Sequence, residues 1–198
     1  MDGNSPGRQG GCEPKEAIED PMTPVGLARS GPQSGLALNL AASPAAREGY
    51  VALRKALAKG ALTGRLQEKL ALLVADRNAC AYCAAAHEAL AAKMGIDAAE
   101  IAASRQANAA DVKEAAALKL AAAMVDRRGS VSGDELTRAR AAGLDDAEIV
   151  EIVGNVALNV FRNYFALTAG LPTAETDGAA SGSARHADGE TRHWREVA

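Results

Sequence analysis

The sequence has few aromatic residues, no long apolar run and no dense block of basic residues. Aromatic side chains make up 3% of its 198 residues, and no segment approaches the roughly 20 apolar residues that a helix needs to cross a bilayer. The formal net charge is −3, with both signs interspersed, which argues against a nucleic-acid partner. No basic segment followed by an apolar one opens the chain, so we expect no secretory signal and a cytoplasmic location.

Cysteine and histidine are also scarce, with three of each in the whole chain. Cys12 lies near the start, and His186 and His193 lie near the end, in segments rich in small and polar residues. No Gly-rich phosphate loop appears, and no Ser-His-Asp set can be assembled. The central part therefore holds two cysteines and one histidine. In a reducing compartment, such a close cysteine pair is more often catalytic or metal-binding than structural.

Alanine dominates the middle of the chain and favours an all-α fold, because Ala is the strongest helix former and permits close helix packing. Residues 1–35 and 172–198 carry too few large apolar side chains to offset the entropy of ordering, so we predict two disordered tails. Residues 36–171 are predicted to form one helical domain.

Capping residues and stop signals divide this domain into seven predicted helices. Their predicted starts are Ser43-Pro44, Thr63, Asn78, Asp97, Asp111, Asp134 and Asp145. If Asn78 is the N-cap of the third helix, Cys80 lies in its first turn. The helix dipole there favours a negatively charged thiolate. The last helix is predicted to run to about Thr168 and is the longest and most apolar.

The third predicted helix carries the residues with the clearest chemistry. Cys80, Cys83 and His87 are spaced three and four residues apart, so their side chains share one helix face. A dithiol this close can form a disulfide reversibly, and an imidazole one turn away can take a thiol proton. The dipole favours Cys80 as the thiolate and the imidazole favours Cys83. The spacing alone leaves open which sulfur is the nucleophile.

Two other polar features permit more than one interpretation. Glu68 lies among apolar residues of the second helix and is either a partly buried proton-transfer group or a surface residue paired with Arg65. Asn155, Asn159 and Arg162 form a stripe on the last helix. That stripe could hydrogen-bond inside the core, line the site, meet a second subunit or form a solvated edge.

Other interpretations of the cysteine pair also stay open. Free cysteines pack as small apolar residues, which would make the pair structural. Two thiolates, the His87 imidazole and the Glu68 carboxylate could instead bind zinc, although no second Cys/His pair accompanies them in the core. A c-type haem site is excluded in its usual form because Ala84, not histidine, follows Cys83. We expect neither a cofactor nor a metal.

The spacing of Glu68, Cys80-x-x-Cys83 and His87 resembles the motif of the alkylhydroperoxidase D family, within the carboxymuconolactone decarboxylase-like superfamily. The flanks agree, as does the late segment from Asn155 to Tyr164. The resemblance covers roughly residues 36–170. One departure is that Ala166-Leu167 stands where relatives of similar length tend to carry Asn-His.

The resemblance implies an alkylhydroperoxidase D-like helical bundle that assembles into homo-trimers or hexamers. It implies a thiol peroxidase in which Cys83 attacks a hydroperoxide, Cys80 resolves the sulfenic acid, and Glu68 and His87 relay the proton. A dihydrolipoyl protein or a thioredoxin-like partner would reduce the disulfide. The decarboxylase branch of the superfamily works without the cysteine pair, and a lyase of that branch is the enzymatic alternative.

Overall fold

The computed structural model describes residues 40 and 42–171, and these form seven α-helices with no strand among them. This confirms the predicted all-α fold. Cys12, both predicted tails and the histidines at the end of the chain lie outside the described residues. The helices are α1 Pro44–Leu57, α2 Gly64–Arg77, α3 Ala81–Lys93, α4 Ala98–Arg105, α5 Val112–Asp126, α6 Gly133–Ala141 and α7 Asp146–Thr168.

Most helices begin where the capping residues predicted. A side-chain oxygen at the N-cap accepts the N–H three residues on, which satisfies one of the free donors of the first turn. Five predicted caps act in this way: Ser43, Thr63, Asp97, Asp111 and Asp145. The sixth helix is instead capped by Ser132, which forms a capping box with Glu135.

Helix α2 is the centre of the domain and packs against α3, α4, α5 and α7. It is buried on nearly all sides, which its run of apolar residues dictates. Leu70, Leu72, Leu73 and Val74 are fully inaccessible to solvent. A polar side chain on the buried part of this helix must therefore find a partner inside the protein.

Helices α2 and α7 lie side by side and run in the same direction. Near the start of α2, the Glu151 carboxylate of α7 accepts the N–H groups of Ala61 at 2.8 Å and Leu62 at 3.1 Å. At the end of α2, Asn78 Nδ2 donates to Asn163 Oδ1 of α7 at 2.9 Å. These two attachments lie far apart along both helices and set their register.

Helix α7 has 23 residues and is about 34 Å long at 1.5 Å per residue. None of the helices formed by residues 42–171 is long and apolar enough to cross a membrane. One face of α7 packs on the core through Ile149, Ile152 and Val156. A different face leaves large apolar side chains exposed, namely Val150, Val153, Phe161, Tyr164 and Leu167.

Candidate active site

The junction between α2 and α3 places the cysteine pair, and it differs from the predicted arrangement. Asn78 is not the N-cap of the third helix; it is the C-cap of α2, and Cys80 is the N-cap of α3. The N–H of Cys80 donates to the carbonyl of Ala75 at 2.9 Å, and that of Ala79 donates to Asp76 at 3.0 Å. This is the Schellman pattern that ends many helices.

Ala79, between these two caps, has a left-handed backbone with φ of 52°. Glycine is the usual residue there, because a Cβ makes this conformation unfavourable. The strained residue lets α2 end at Arg77 and α3 begin at Ala81, with only three residues between them. The sharp turn brings Cys80 to the start of α3.

Cys80 and Cys83 are paired as a disulfide, with their Cα atoms 5.3 Å apart. Each cysteine is only 1% exposed. The N–H of Cys83 donates to Sγ of Cys80 at 3.4 Å, so the sulfur of Cys80 is the cap of α3. In the dithiol form, this N–H and the helix dipole would favour negative charge on Cys80.

Glu68 and His87 are brought together by the packing of α2 against α3. Glu68 Oε1 lies 2.6 Å from Nδ1 of His87, and both side chains are buried. The alternative of a surface Glu68 paired with Arg65 is therefore wrong. Arg65 instead binds Glu100 at 3.0 Å and the carbonyl of Met94 at 3.0 Å.

The second ring nitrogen of His87, Nε2, is buried and has no hydrogen-bond partner among the described residues. With Nδ1 engaged by Glu68, Nε2 is the nitrogen left to exchange a proton with a thiol or a substrate. An imidazole oriented by a carboxylate and free at its other nitrogen has the arrangement of a general base.

Lys69 follows Glu68 in the sequence, but its ammonium forms ion pairs with residues outside the cysteine site. Its ammonium lies 2.6 Å from Glu114 and 3.0 Å from Glu100, which ties α2 to α5 and α4. Burial lowers the pKa of Lys69, but the hydrogen bonds that its ammonium donates to Glu114 and Glu100 outweigh this effect, so the pKa is raised above its ordinary value. Lys69 is therefore a fixed cation of the core.

An apolar shell surrounds the cysteine pair. Ala75 of α2 and Ala166 of α7 are buried in the same cluster as both cysteines. Ala166 is one of the two positions at which this chain departs from the pattern it resembles, and it packs beside the sulfur pair. Other members of the shell are Leu40, Tyr50, Tyr82, Ala84, Phe165 and Leu171.

The polar stripe of α7 is buried, so its interpretation as a solvated edge is wrong. Asn155, Asn159 and Arg162 are each no more than 5% exposed. Asn155 Nδ2 donates to the carbonyl of Glu151, and Asn159 Nδ2 donates to that of Asn155, both at 2.9 Å. Asn159 Oδ1 and Asn163 Nδ2 are buried without a partner among the described residues.

The described residues contain no group of three or more His, Cys, Asp or Glu side chains arranged to hold a metal ion. The site that they do form consists of the Cys80–Cys83 pair, His87 on the same helix and Glu68 on the neighbouring one. A buried dithiol beside an oriented imidazole can carry out thiol–disulfide chemistry.

The segment that carries this site matches a known protein family. The model of the carboxymuconolactone decarboxylase family matches residues 44–126, which include Glu68, both cysteines and His87. Over residues 44–126, this chain is similar to the carboxymuconolactone decarboxylase family. Helix α7 lies beyond the matched segment. None of the curated protein sequences matches this chain.

Solved structures share the fold of this chain. An uncharacterized peroxidase-related protein from Ralstonia eutropha JMP134, called an alkylhydroperoxidase AhpD core, is 25% identical with a TM-score of 0.61, covering 71% of this chain and 77% of that one. A peroxidase-related protein from Silicibacter sp. TM1040 is 22% identical with a TM-score of 0.60, covering 72% and 76%.

A third structure is a cysteine-to-alanine variant of the debrominase Bmp8 in complex with 2,3,4-tribromopyrrole. It is 15% identical with a TM-score of 0.61, covering 73% of this chain and 79% of that one. At this identity the likeness shows the fold alone. At the level of the family, the comparisons support a peroxidase-related or carboxymuconolactone decarboxylase-like function.

Proposed function

We propose that this protein is a thiol peroxidase that reduces hydroperoxides through a disulfide cycle of Cys80 and Cys83, an activity of the peroxiredoxin type. The observation that carries the proposal is the buried contact of 2.6 Å between Glu68 and His87, one helical turn from Cys83. A decarboxylase has no need of a cysteine pair, whereas a peroxidatic thiol needs a base to ionise it.

In the first step, His87 takes the proton of the Cys83 thiol and Glu68 stabilises the imidazolium. The thiolate attacks the terminal oxygen of a hydroperoxide, so an S–O bond forms and the O–O bond breaks. The alkoxide leaves as an alcohol after taking the proton from His87. Cys83 is then a sulfenic acid, oxidised by two electrons.

In the second step, the sulfur of Cys80 attacks the sulfur of the Cys83 sulfenic acid. The S–S bond forms, the S–O bond breaks and the oxygen leaves as water. An external dithiol, from a dihydrolipoyl or thioredoxin-like protein, then reduces the disulfide through a mixed disulfide. The S–S pairing in the structure corresponds to the oxidised state of this cycle.

The proposal is tested by thiol titration of the full-length chain. The protein is reduced with dithiothreitol, freed of reductant and treated with one equivalent of tert-butyl hydroperoxide. We expect two of the three thiols to be lost, with a mass lower by two hydrogens and a peptide joining Cys80 to Cys83. Cys12 is the internal standard. Retention of all three thiols would overturn the proposal.

Two alternatives have measurements of their own. A zinc module would co-purify with close to one metal ion per chain and would unfold on chelation, which elemental analysis and circular dichroism detect. If the protein is a lyase of the decarboxylase branch, the variant with both Cys80 and Cys83 replaced by serine would still release CO₂ from a carboxylated lactone. We expect little zinc and no such release.

A further inference from the structure

Asn163, one of the polar residues of α7, is connected through Asn78 to the α2–α3 junction that carries Cys80. Asn163 is fully buried, and its Oδ1 accepts a hydrogen bond from Asn78 Nδ2 at 2.9 Å. Asn78 is the C-cap of α2, two residues before Cys80. Ala79, which separates them, is held in the left-handed conformation. Helix α7 is thereby tied to the turn that presents the first cysteine.

We propose that Asn163 is a positioning residue for the disulfide cycle, acting through Asn78 to keep the α2–α3 junction closed while the cysteines are reduced. This inference rests on the proposed function, because it concerns the same pair of sulfurs. The hydrogen bond of Asn163 is to Asn78 and not to either cysteine, so its effect passes through the backbone of residues 78–80.

The physical reason lies in the difference between the two redox states. When the disulfide is formed, the covalent bond itself holds Cys80 near Cys83. When the disulfide is reduced, a strained residue at position 79 favours opening of the turn, since a left-handed alanine is unfavourable. The Asn78–Asn163 hydrogen bond opposes that opening and keeps the two thiols close enough to react with each other.

Loss of the hydrogen bond should therefore favour the dithiol over the disulfide. The freed junction gains conformational entropy only in the reduced state, because the disulfide restrains it in the oxidised state. We expect the equilibrium constant for disulfide formation to fall roughly five- to tenfold, the effect of one net neutral hydrogen bond. The rate at which Cys80 resolves a sulfenic acid should fall with it.

The experiment measures the thiol–disulfide equilibrium of the full-length chain in glutathione redox buffers, with Cys12→Ser in every sample. The fraction of disulfide is read by alkylation and mass spectrometry. Asn78→Ala removes the donor at a half-buried position, so the fold should tolerate it. Asn163→Leu removes the acceptor and keeps the number and branching of the side-chain heavy atoms. Both variants should lower the equilibrium constant.

Two variants serve as controls. Asn78→Asp can still accept a hydrogen bond from the amide of Asn163 and should restore the wild-type equilibrium. Gln106→Ala changes the C-cap of α4, which precedes another left-handed alanine, Ala107 with φ of 55°, and lies on a different junction. It should leave the cysteine equilibrium unchanged.

The inference is overturned if Asn78→Ala has the wild-type equilibrium, or if Gln106→Ala lowers it as much. It is also overturned if Asn163→Leu acts and Asn78→Ala does not, since Asn163 would then work by another route. No peroxide is present in this measurement. A failure of the proposed peroxidase activity is therefore seen separately, as absence of hydroperoxide consumption by the wild-type protein.

Discussion

Cys80 caps the helix that carries Cys83, because its sulfur accepts the N–H of Cys83 at 3.4 Å. The two cysteines thus differ in surroundings although both are buried. Cys80 has the helix N-terminus, and Cys83 lies one turn before His87. A cap that stabilises a thiolate also makes that sulfur a better leaving group when a reductant attacks the other. This arrangement suits Cys80 to resolution and release.

Replacement of each cysteine in turn should separate the two roles. Cys83→Ser should abolish hydroperoxide reduction. Cys80→Ser should consume about one equivalent of peroxide and then stop with a sulfenic acid on Cys83. Trapping with dimedone followed by mass spectrometry identifies the modified residue. A sulfenic acid found on Cys80 in the Cys83→Ser protein would mean that the roles are reversed.

Removal of the carboxylate–imidazole pair should slow the first step. We expect His87→Ala and Glu68→Gln each to lower the rate of sulfenic acid formation by about 10²–10⁴, the range typical of acid–base groups. Stopped-flow measurement under single turnover gives this rate. Glu88→Gln is the matched control, since Glu88 is next to His87 but pairs with Arg105 at the surface. An equal loss in the control would contradict the prediction.

Ala79→Gly should stabilise the protein, because glycine adopts the left-handed conformation of this position at no steric cost. We expect the free energy of unfolding to rise by about 1 kcal/mol, measured by urea denaturation of the reduced protein. Ala142→Gly is the comparison, at a helix C-cap with ordinary right-handed geometry, φ −80°. It should bring no gain.

The exposed apolar face of α7 should bury itself against further copies of the chain. Val150, Val153, Tyr164 and Leu167 follow one another at helical spacing, and each is about half or more exposed. We expect a homo-oligomer, a trimer or a multiple of it, at micromolar concentration in sedimentation experiments. A monomer under these conditions would contradict the prediction.

A pair of substitutions that introduces charge on that face gives the specific test. Val153→Glu combined with Tyr164→Glu should dissociate the oligomer, because two carboxylates would have to be buried at the contact. Val112→Glu changes a residue that is 73% exposed on another helix, at the start of α5, and should leave the assembly intact.

Acid stability should depend on Glu135. The hydrogen bond from Arg127, followed by that from the Ser132 backbone, lowers the pKa of the Glu135 carboxyl from 4.5 to about 2. A depressed folded-state pKa contributes stability that is present above the unfolded value and lost as pH falls through the folded one. The stability difference between the wild type and Glu135→Gln should therefore shrink from pH 4.5 to about 2. A difference that stays constant over this range would contradict the assignment.

The common face of Cys83 and His87 on α3 could be predicted from their spacing, because the helical period fixes which side chains adjoin. Cys80 instead precedes the helix as its N-cap. The partner of Glu68 could not, because it depends on how α2 packs against α3. The sequence permits both a surface residue near Arg65 and a buried base. Burial of most of α2, Glu68 included, decides between them.

The prediction that Asn78 is the N-cap of the third helix was wrong, because asparagine suits either end of a helix. The deciding signal would have been glycine at the left-handed position, and this chain has Ala79 there. The Ser132 cap was missed although Ser132 and Glu135 have capping-box spacing. Burial of the α7 stripe depends on tertiary packing, which no periodicity reports.

Helix α7 also fixes the position of α2 along its axis. It is fastened to one end of α2 through Glu151 and to the other through Asn163, two points about 18 Å apart along the α7 axis. A slide of α2 by a single residue, about 1.5 Å, would have to break both attachments at once. The position of Glu68 along the axis of α2, and so its alignment with His87, therefore depends on α7, a helix that carries neither residue. Insertions or deletions within residues 151–163 should misalign the carboxylate and the imidazole while leaving every residue of the cysteine motif in place.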